Sequence, residues 1–232
     1  MDKVMQDLWL FDYNDSEAYD RFSQCEDPNN LITRYIEGKY DLHDKNVLEI
    51  GAGSGKFTHF LAHSCRKLYV VERSANLMAL NQARNKRSNI QFILSDVKAL
   101  DLPEHSIDVV FGGWSMTSMR DDFPGVFRVL NKVLKPDGKI ILVENAGADE
   151  FSHITGIESL SAEMQKYYHR IGFYTEVVII TTINLPDAET FYRAFPNQSS
   201  KKLDSLRIRH DITILTANAK NLPKGDKCYE NC

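Results

Sequence analysis

The stretch Val47-Leu48-Glu49-Ile50-Gly51-Ala52-Gly53-Ser54-Gly55-Lys56 decides how the chain is read. Its opening residues are short and apolar enough to form a central strand of a sheet covered on both faces. Three glycines on alternate positions then let the backbone turn tightly and approach a ligand with no Cβ in the way. Residues 55–64 have helical spacing, so the loop's free N–H groups face a ligand at a helix start. Two familiar loops do not fit. A Walker phosphate loop needs a Gly, four residues, then Gly-Lys-Ser/Thr. Here Ile50 stands at the first Gly and Phe57 follows Lys56. The dinucleotide fingerprint needs Gly or Ala at the position of Lys56, which disfavours a nicotinamide-dependent oxidoreductase.

Outward from this stretch the same rhythm repeats. Apolar runs at 46–50, 67–71, 90–94, 107–111 and 139–144 alternate with helical segments at 55–64, 75–86, 122–134 and 157–171. Alternation of this kind implies βαβ crossovers and a mostly parallel, doubly wound α/β sheet. Two further runs, 177–183 and 211–217, are separated by Pro186, Pro196 and a polar stretch, with one short helical candidate between them. That connection permits an antiparallel pairing of the last two strands, seven in all. Before the fifth strand, Leu134-Lys135-Pro136-Asp137-Gly138-Lys139 reads as a turn. Pro136 presets φ at its corner, and Gly138 is expected to supply positive φ.

Ligands of such sheets bind outside the carboxyl ends of the strands, where strand order reverses. Glu72 ends the second strand, 17 residues beyond Gly55, and Asp96 ends the third. A carboxylate in the position of Glu72 can accept hydrogen bonds from both hydroxyls of a ribose. Carboxylates at three successive strand ends, with Glu49, repel one another unless ligand donors satisfy them.

This constellation resembles the class I S-adenosylmethionine-dependent methyltransferases. Residues 49–55 match that family's E/D-x-G-x-G-x-G loop, and residues 134–138 resemble its L-K-P-G-G turn, with Asp137 in place of the first Gly. The likeness runs from about Lys45 to Asn145. It implies a Rossmann-like fold and S-adenosylmethionine as cofactor. Carried over by position, it implies that Gly51, Ala52, Gly53 and Gly55 form the cofactor loop and that Glu49 faces the methionine ammonium. Glu72, with Arg73 beside it, would hold the ribose. Asp96 would take the adenine amine, and the Val97 N–H would face a ring nitrogen. Leu77, Met78 or Val97 could flank the adenine, and Gly112 and Gly113 would leave room beside the sulfur. The family's exocyclic-amine motif is missing, since Gly112-Gly113-Trp114-Ser115 lacks proline.

Composition is that of an ordinary folded protein: 232 residues, 43% hydrophobic, 26% charged, formal charge −4. The expectation is one domain, with a helical cap at 1–44, a cofactor core at 45–145 and a substrate-side segment at 146–232. With no long apolar stretch and an acidic N-terminus unlike a signal peptide, a cytoplasmic location without membrane contact is expected. Cys25, Cys65, Cys228 and Cys232 are read as free thiols, and no metal site is expected. Without a global basic field nucleic acid is disfavoured, although Lys201, Lys202, Arg207, Arg209 and His210 form a modest basic cluster. The default acceptor is a small molecule. Protein or RNA acceptors and a non-catalytic scaffold are the alternatives, and neither a catalytic residue nor an oligomeric state can be named.

Residues 1–30 hold eight acids against Lys3 and Arg21, together with the aromatics Trp9, Phe11, Tyr13, Tyr19 and Phe22. A helix at 16–22 is expected to close over the cofactor as a lid, or else to pack its aromatics onto the sheet's helices. Base candidates for the acceptor are His153, His169, Asp149 and Glu144.

Overall fold

A computed structural model of the chain describes residues 15–223. Trp9, Phe11, Tyr13, Cys228 and Cys232 lie outside them. The strands are β1 (Asn46–Ile50), β2 (Lys67–Glu72), β3 (Ile90–Leu94), β4 (Ile107–Gly113), β5 (Leu134–Asn145), β6 (Tyr174–Asn184) and β7 (Arg207–Asn218). They form a single sheet in the order β3-β2-β1-β4-β5-β7-β6. All neighbours from β3 to β5 are parallel, whereas β7 runs antiparallel to both β5 and β6. The α/β sheet with a reversed last strand is therefore as read from the run spacing. Strand order reverses between β1 and β4, which opens a crevice at their carboxyl ends.

Helices cover both faces. On one face α2 (Leu31–Lys39) and α3 (Thr58–Ser64) bury Ile32, Ile36, Phe60 and Leu61 against Val47, Val70, Phe111 and Ile212. On the other, α5 (Phe123–Val133) and α7 (Glu158–Arg170) bury Phe127, Leu130, Met164 and Tyr168 against Leu48, Val110, Ile140 and Leu142. The alternation of strand side chains sorts these residues, odd-numbered β1 positions to one core and even to the other. A smaller third core joins α1 (Ser16–Ser23), α6 (Glu150–Thr155) and α8 (Ala188–Ala194) through Phe22, Phe151 and Phe191. These three helices make a cap. Helix α4 (Ala75–Arg84) follows β2.

Two local expectations are corrected. The helix expected from Gly55 starts at Thr58, because Gly51, Gly53 and Gly55 all adopt positive φ (60°, 55° and 92°) and hold the loop out of helical geometry. Gly138 does not have positive φ. The 134–139 segment is instead a bulge within β5, where pairing to β4 jumps from Ile107–Leu134 to Val109–Lys139. Glycine is required there by close approach, since a Cβ would lie 2.9 Å from the Lys135 carbonyl oxygen.

Candidate functional site

A cavity of about 280 Å³ opens at the crevice between β1 and β4, near the small end of ligand sites at about 300 Å³. Gly51 and Gly53 form its floor, and Glu72, Arg73, Asp96 and Val97 line one end. Six of the expected cofactor residues thus share one wall. The other four, Glu49, Ala52, Gly55 and Gly112, do not line it. Leu77 does, and Met78 is simple core, 3% exposed.

Both oxygens of Glu72 are already in use. One accepts the Gly53 N–H at 2.9 Å and the other the Ser74 N–H at 2.8 Å. Each carboxylate oxygen has two lone pairs, so capacity remains for two ligand hydroxyls. The acid that ends β2 thereby locks the glycine loop to the start of α4. Asp96 caps a short 3₁₀ turn, accepting the Lys98 N–H at 3.1 Å, and keeps its place on the wall. Over this end Lys98 pairs with Asp122 at 2.6 Å, joining the segments after β3 and β4 across the rim.

Glu49 stands behind the wall. Strand alternation turns it to the Val47 side, where its carboxyl accepts from the Thr58 hydroxyl at 2.6 Å. Asn81 donates to that hydroxyl and accepts from Asn85, so a buried polar chain fastens β1 to α3 and α4. Burial, more than the neighbouring Glu72, pushes the Glu49 carboxyl up to about 8. Burial likewise raises Glu144 to about 7. A carboxyl that is neutral in the fold and ionised in the unfolded chain stabilises fully below about pH 4.5. Its contribution is lost as pH rises towards the folded value. Glu49→Gln keeps the shape and removes the titration. It should flatten the fall in unfolding free energy between about pH 5 and 8. Denaturant midpoints at stepped pH would show this, and an unaltered slope in the variant would contradict it.

The cavity is also lined by Gly113, which ends β4, by Trp114 and Ser115 after it, and by Tyr19 from the cap. A Cβ at Gly53 would lie 3.3 Å from the Tyr19 hydroxyl, so α1 packs over the glycine loop. Phe22, by contrast, packs among Phe151, Phe191 and Phe195. Of the expected aromatics among the described residues, Tyr19 stands at the cavity and Phe22 in the core of the cap.

In the sequence Lys56 marks only an obstacle to dinucleotides. In the fold its buried ammonium donates to the carbonyls of Ser23 and Glu26, both at 2.7 Å, at the end of α1. Arg84 adds a second tie, to the Ser54 carbonyl at 2.9 Å and to Asp20 at 2.7 Å. Two cations of the loop region thus anchor the cap, which an interruption of a fingerprint could hint at but not locate.

None of the four base candidates lines the cavity. His153 is exposed beside Glu158, and His169 bonds Thr175 at the surface. Asp149 caps α6 and accepts the Asp211 N–H at 2.6 Å. Glu144 accepts from Thr117, at 2.9 Å from its hydroxyl, and from Tyr168, which fixes the segment carrying Ser118 and Met119 on the wall. The basic cluster also comes apart, because β7 alternates. Arg209 turns outward to Asp211, while His210 is fully buried against Asn145 at 2.9 Å, its ring pushed down to about 3 by burial and by Lys56.

A family model described as a methyltransferase domain matches residues 48–142. Phosphoethanolamine N-methyltransferase 1 of Caenorhabditis elegans is 28% identical over 123 residues, which are 47% of this chain and 26% of that protein. The chain thus spans about a quarter of that relative's length. An uncharacterized methyltransferase of Bacillus cereus is 24% identical over 180 residues, covering 72% of this chain and 82% of its own. The crystal structure of an S-adenosylmethionine-dependent methyltransferase from Aquifex aeolicus superposes with a TM-score of 0.59 at 14% identity, over 89% of this chain and 99% of its own. The methyltransferase-domain model thus covers the part of the chain that carries the glycine loop and places Glu72 and Asp96 on one cavity wall, and the likeness to the solved structure is one of fold.

Proposed function

We propose that the chain binds S-adenosylmethionine in this cavity and transfers its methyl group to a small-molecule acceptor, at nitrogen or oxygen, by in-line displacement. The observation that carries this reading is the meeting of Gly51, Gly53, Glu72 and Asp96 on one wall. The residues suit the cofactor's chemistry. Glu72 retains acceptor capacity for ribose hydroxyls, and Asp96 offers an acceptor for an amine. Gly51 and Gly53 line the cavity where a methionine chain would lie.

S-adenosylmethionine supplies a methyl already activated by a sulfonium, so the protein's part is to place the acceptor in line. Such positioning contributes about 7–11 kcal/mol. The cap supports a small acceptor. Tyr19 stands on the wall, and Phe151 packs at 4.4 Å on His210, which stacks on Trp114, so helices α1 and α6 adjoin the methyl end. A folded protein or an RNA duplex would have to displace them.

Calorimetric titration separates this reading from its rivals. S-adenosylmethionine should bind one site per chain while NAD gives no saturable heat. Methyl-labelled cofactor with a polar metabolite extract should then yield labelled small molecules. Binding without any transfer would leave a non-catalytic scaffold, and NAD binding alone would restore the oxidoreductase.

A further inference from the structure

Residues 25–27 leave α1 as a strap along the edge of β6. The Asp27 N–H donates to the Thr182 carbonyl and the Asn184 N–H to the Cys25 carbonyl, both at 3.0 Å. Between them Glu26 pairs with Ile183 as an isolated antiparallel bridge. Its side chain reaches inward, where Oε1 lies 3.9 Å from Nδ1 of His210 on β7. Both residues are buried, His210 completely and Glu26 to 8% exposure.

Whether these two groups can bond depends on one proton. The Asn145 amide oxygen accepts from Nε2 of His210 at 2.9 Å, so the neutral ring presents only a lone pair at Nδ1. That nitrogen has no hydrogen-bond partner among the described residues. A buried acceptor left in this state costs free energy. The protonated Glu26 carboxyl is a donor, and a shift of about 1 Å would bring it to bonding distance. An ionised carboxylate sets an acceptor against an acceptor.

The surroundings favour the protonated form. Burial raises Glu26 to about 7 against the pull of the Lys56 ammonium, and Asp27 beside it adds to the rise. The Cys25 thiol is raised by burial and by Glu26, so it adds no charge. Around the histidine stand the rings of Phe151 from α6 at 4.4 Å and of Trp114 at 5.8 Å. Lys56 is the charge that acts on the ring, and it works with burial to keep it neutral. Arg209 and Asp211 flank His210 but pair with each other, and Glu150 and Asp149 accept their backbone N–H groups. Thr181, opposite on β6, donates its hydroxyl to Asp27.

We propose that Glu26 and His210 form a proton-operated clasp between the strap and the sheet, closed while the carboxyl keeps its proton and loosened as it gives it up. On release the O–H electron pair stays on the carboxylate and the proton passes to solvent. The strap follows the helix that carries Tyr19 to the cavity wall, so its hold bears on that wall, whatever the cavity binds. Freeing the strap returns the carboxyl to water and to its ordinary value of 4.5. The hold is therefore full below about pH 4.5 and weakens as pH rises to about 7.

Amide hydrogen exchange of the full chain, corrected for the intrinsic effect of pH, reads the strap at Asp27 and Asn184. Protection there should fall about tenfold or more between about pH 5 and about pH 8. Glu26→Gln keeps a donor at every pH and should hold the change within about threefold. Equal falls in both proteins, or no fall in the wild type, would overturn the clasp. Histidine labelled with ¹⁵N gives a second readout that needs no variant. The Nδ1 resonance of His210 should move with a midpoint near pH 7, while Nε2 keeps the shift of a neutral ring. A ring that gains a proton over that range, or an Nδ1 resonance that stays still, would equally refute it.

Discussion

Glu72→Ala should weaken S-adenosylmethionine binding by about 1.5–3 kcal/mol, the worth of hydrogen bonds to a charged group. That is roughly a tenfold to hundredfold rise in Kd. The loss has two sources. The ribose hydroxyls would have no carboxylate to meet, and the N–H groups of Gly53 and Ser74 would lose the partner that ties the loop to β2. Glu72→Gln separates these. A single carbonyl oxygen accepts from one of the two N–H groups, so the variant should fall between wild type and Ala. Calorimetric Kd values with S-adenosylmethionine check the order, and an unchanged Kd in Glu72→Ala would mean that the acid has another role.

The largest loss of stability is expected from Gly55→Ala. With φ at 92°, any side chain is strained there, and the new Cβ would sit 2.4 Å from the Asn81 amide oxygen and 2.5 Å from its Cγ. Asn81 cannot simply swing away. It donates to Thr58 at 2.9 Å and accepts from Asn85 at 2.9 Å, and Thr58 in turn satisfies Glu49. Strain and a broken buried network together should cost about 2–4 kcal/mol. Chemical denaturation would show this as a lower midpoint with an unchanged slope. A loss below about 0.5 kcal/mol would show that the loop relaxes freely.

The sheet was legible because its strands are short apolar runs set apart by helical spacing, and 46–50 and 90–94 are the strands found. Glu72 ends β2 as the same count reads it, whereas β3 stops at Leu94 and Asp96 stands two residues beyond it, capping a 3₁₀ turn. What the chain order could not show is which way a side chain turns. Glu49 and Glu72 share one face of the sheet, yet Glu49 lies a residue inside the end of β1 and bonds Thr58 of α3, whereas Glu72 ends β2 and reaches the cavity wall. His210 looked basic beside Arg207 and Arg209 in a row, but it alternates with them and is buried. The far end of the site was legible only in part. Tyr19 and Trp114 come from segments 95 residues apart in sequence, and the cap that carries Tyr19 is anchored by Lys56 through the backbone carbonyls of Ser23 and Glu26, which carry no sequence signal, and by Arg84 through Asp20.

The central claim is that one cavity at the carboxyl edge of β1, β2 and β4 holds a sulfonium nucleoside. A crystal structure of the chain soaked with S-adenosylhomocysteine tests it most directly. The ribose hydroxyls should meet Glu72, the adenine amine should meet Asp96, and the sulfur should lie between Gly51 and Gly113. Density for the nucleoside at any other surface, with this cavity left without it, would contradict the account.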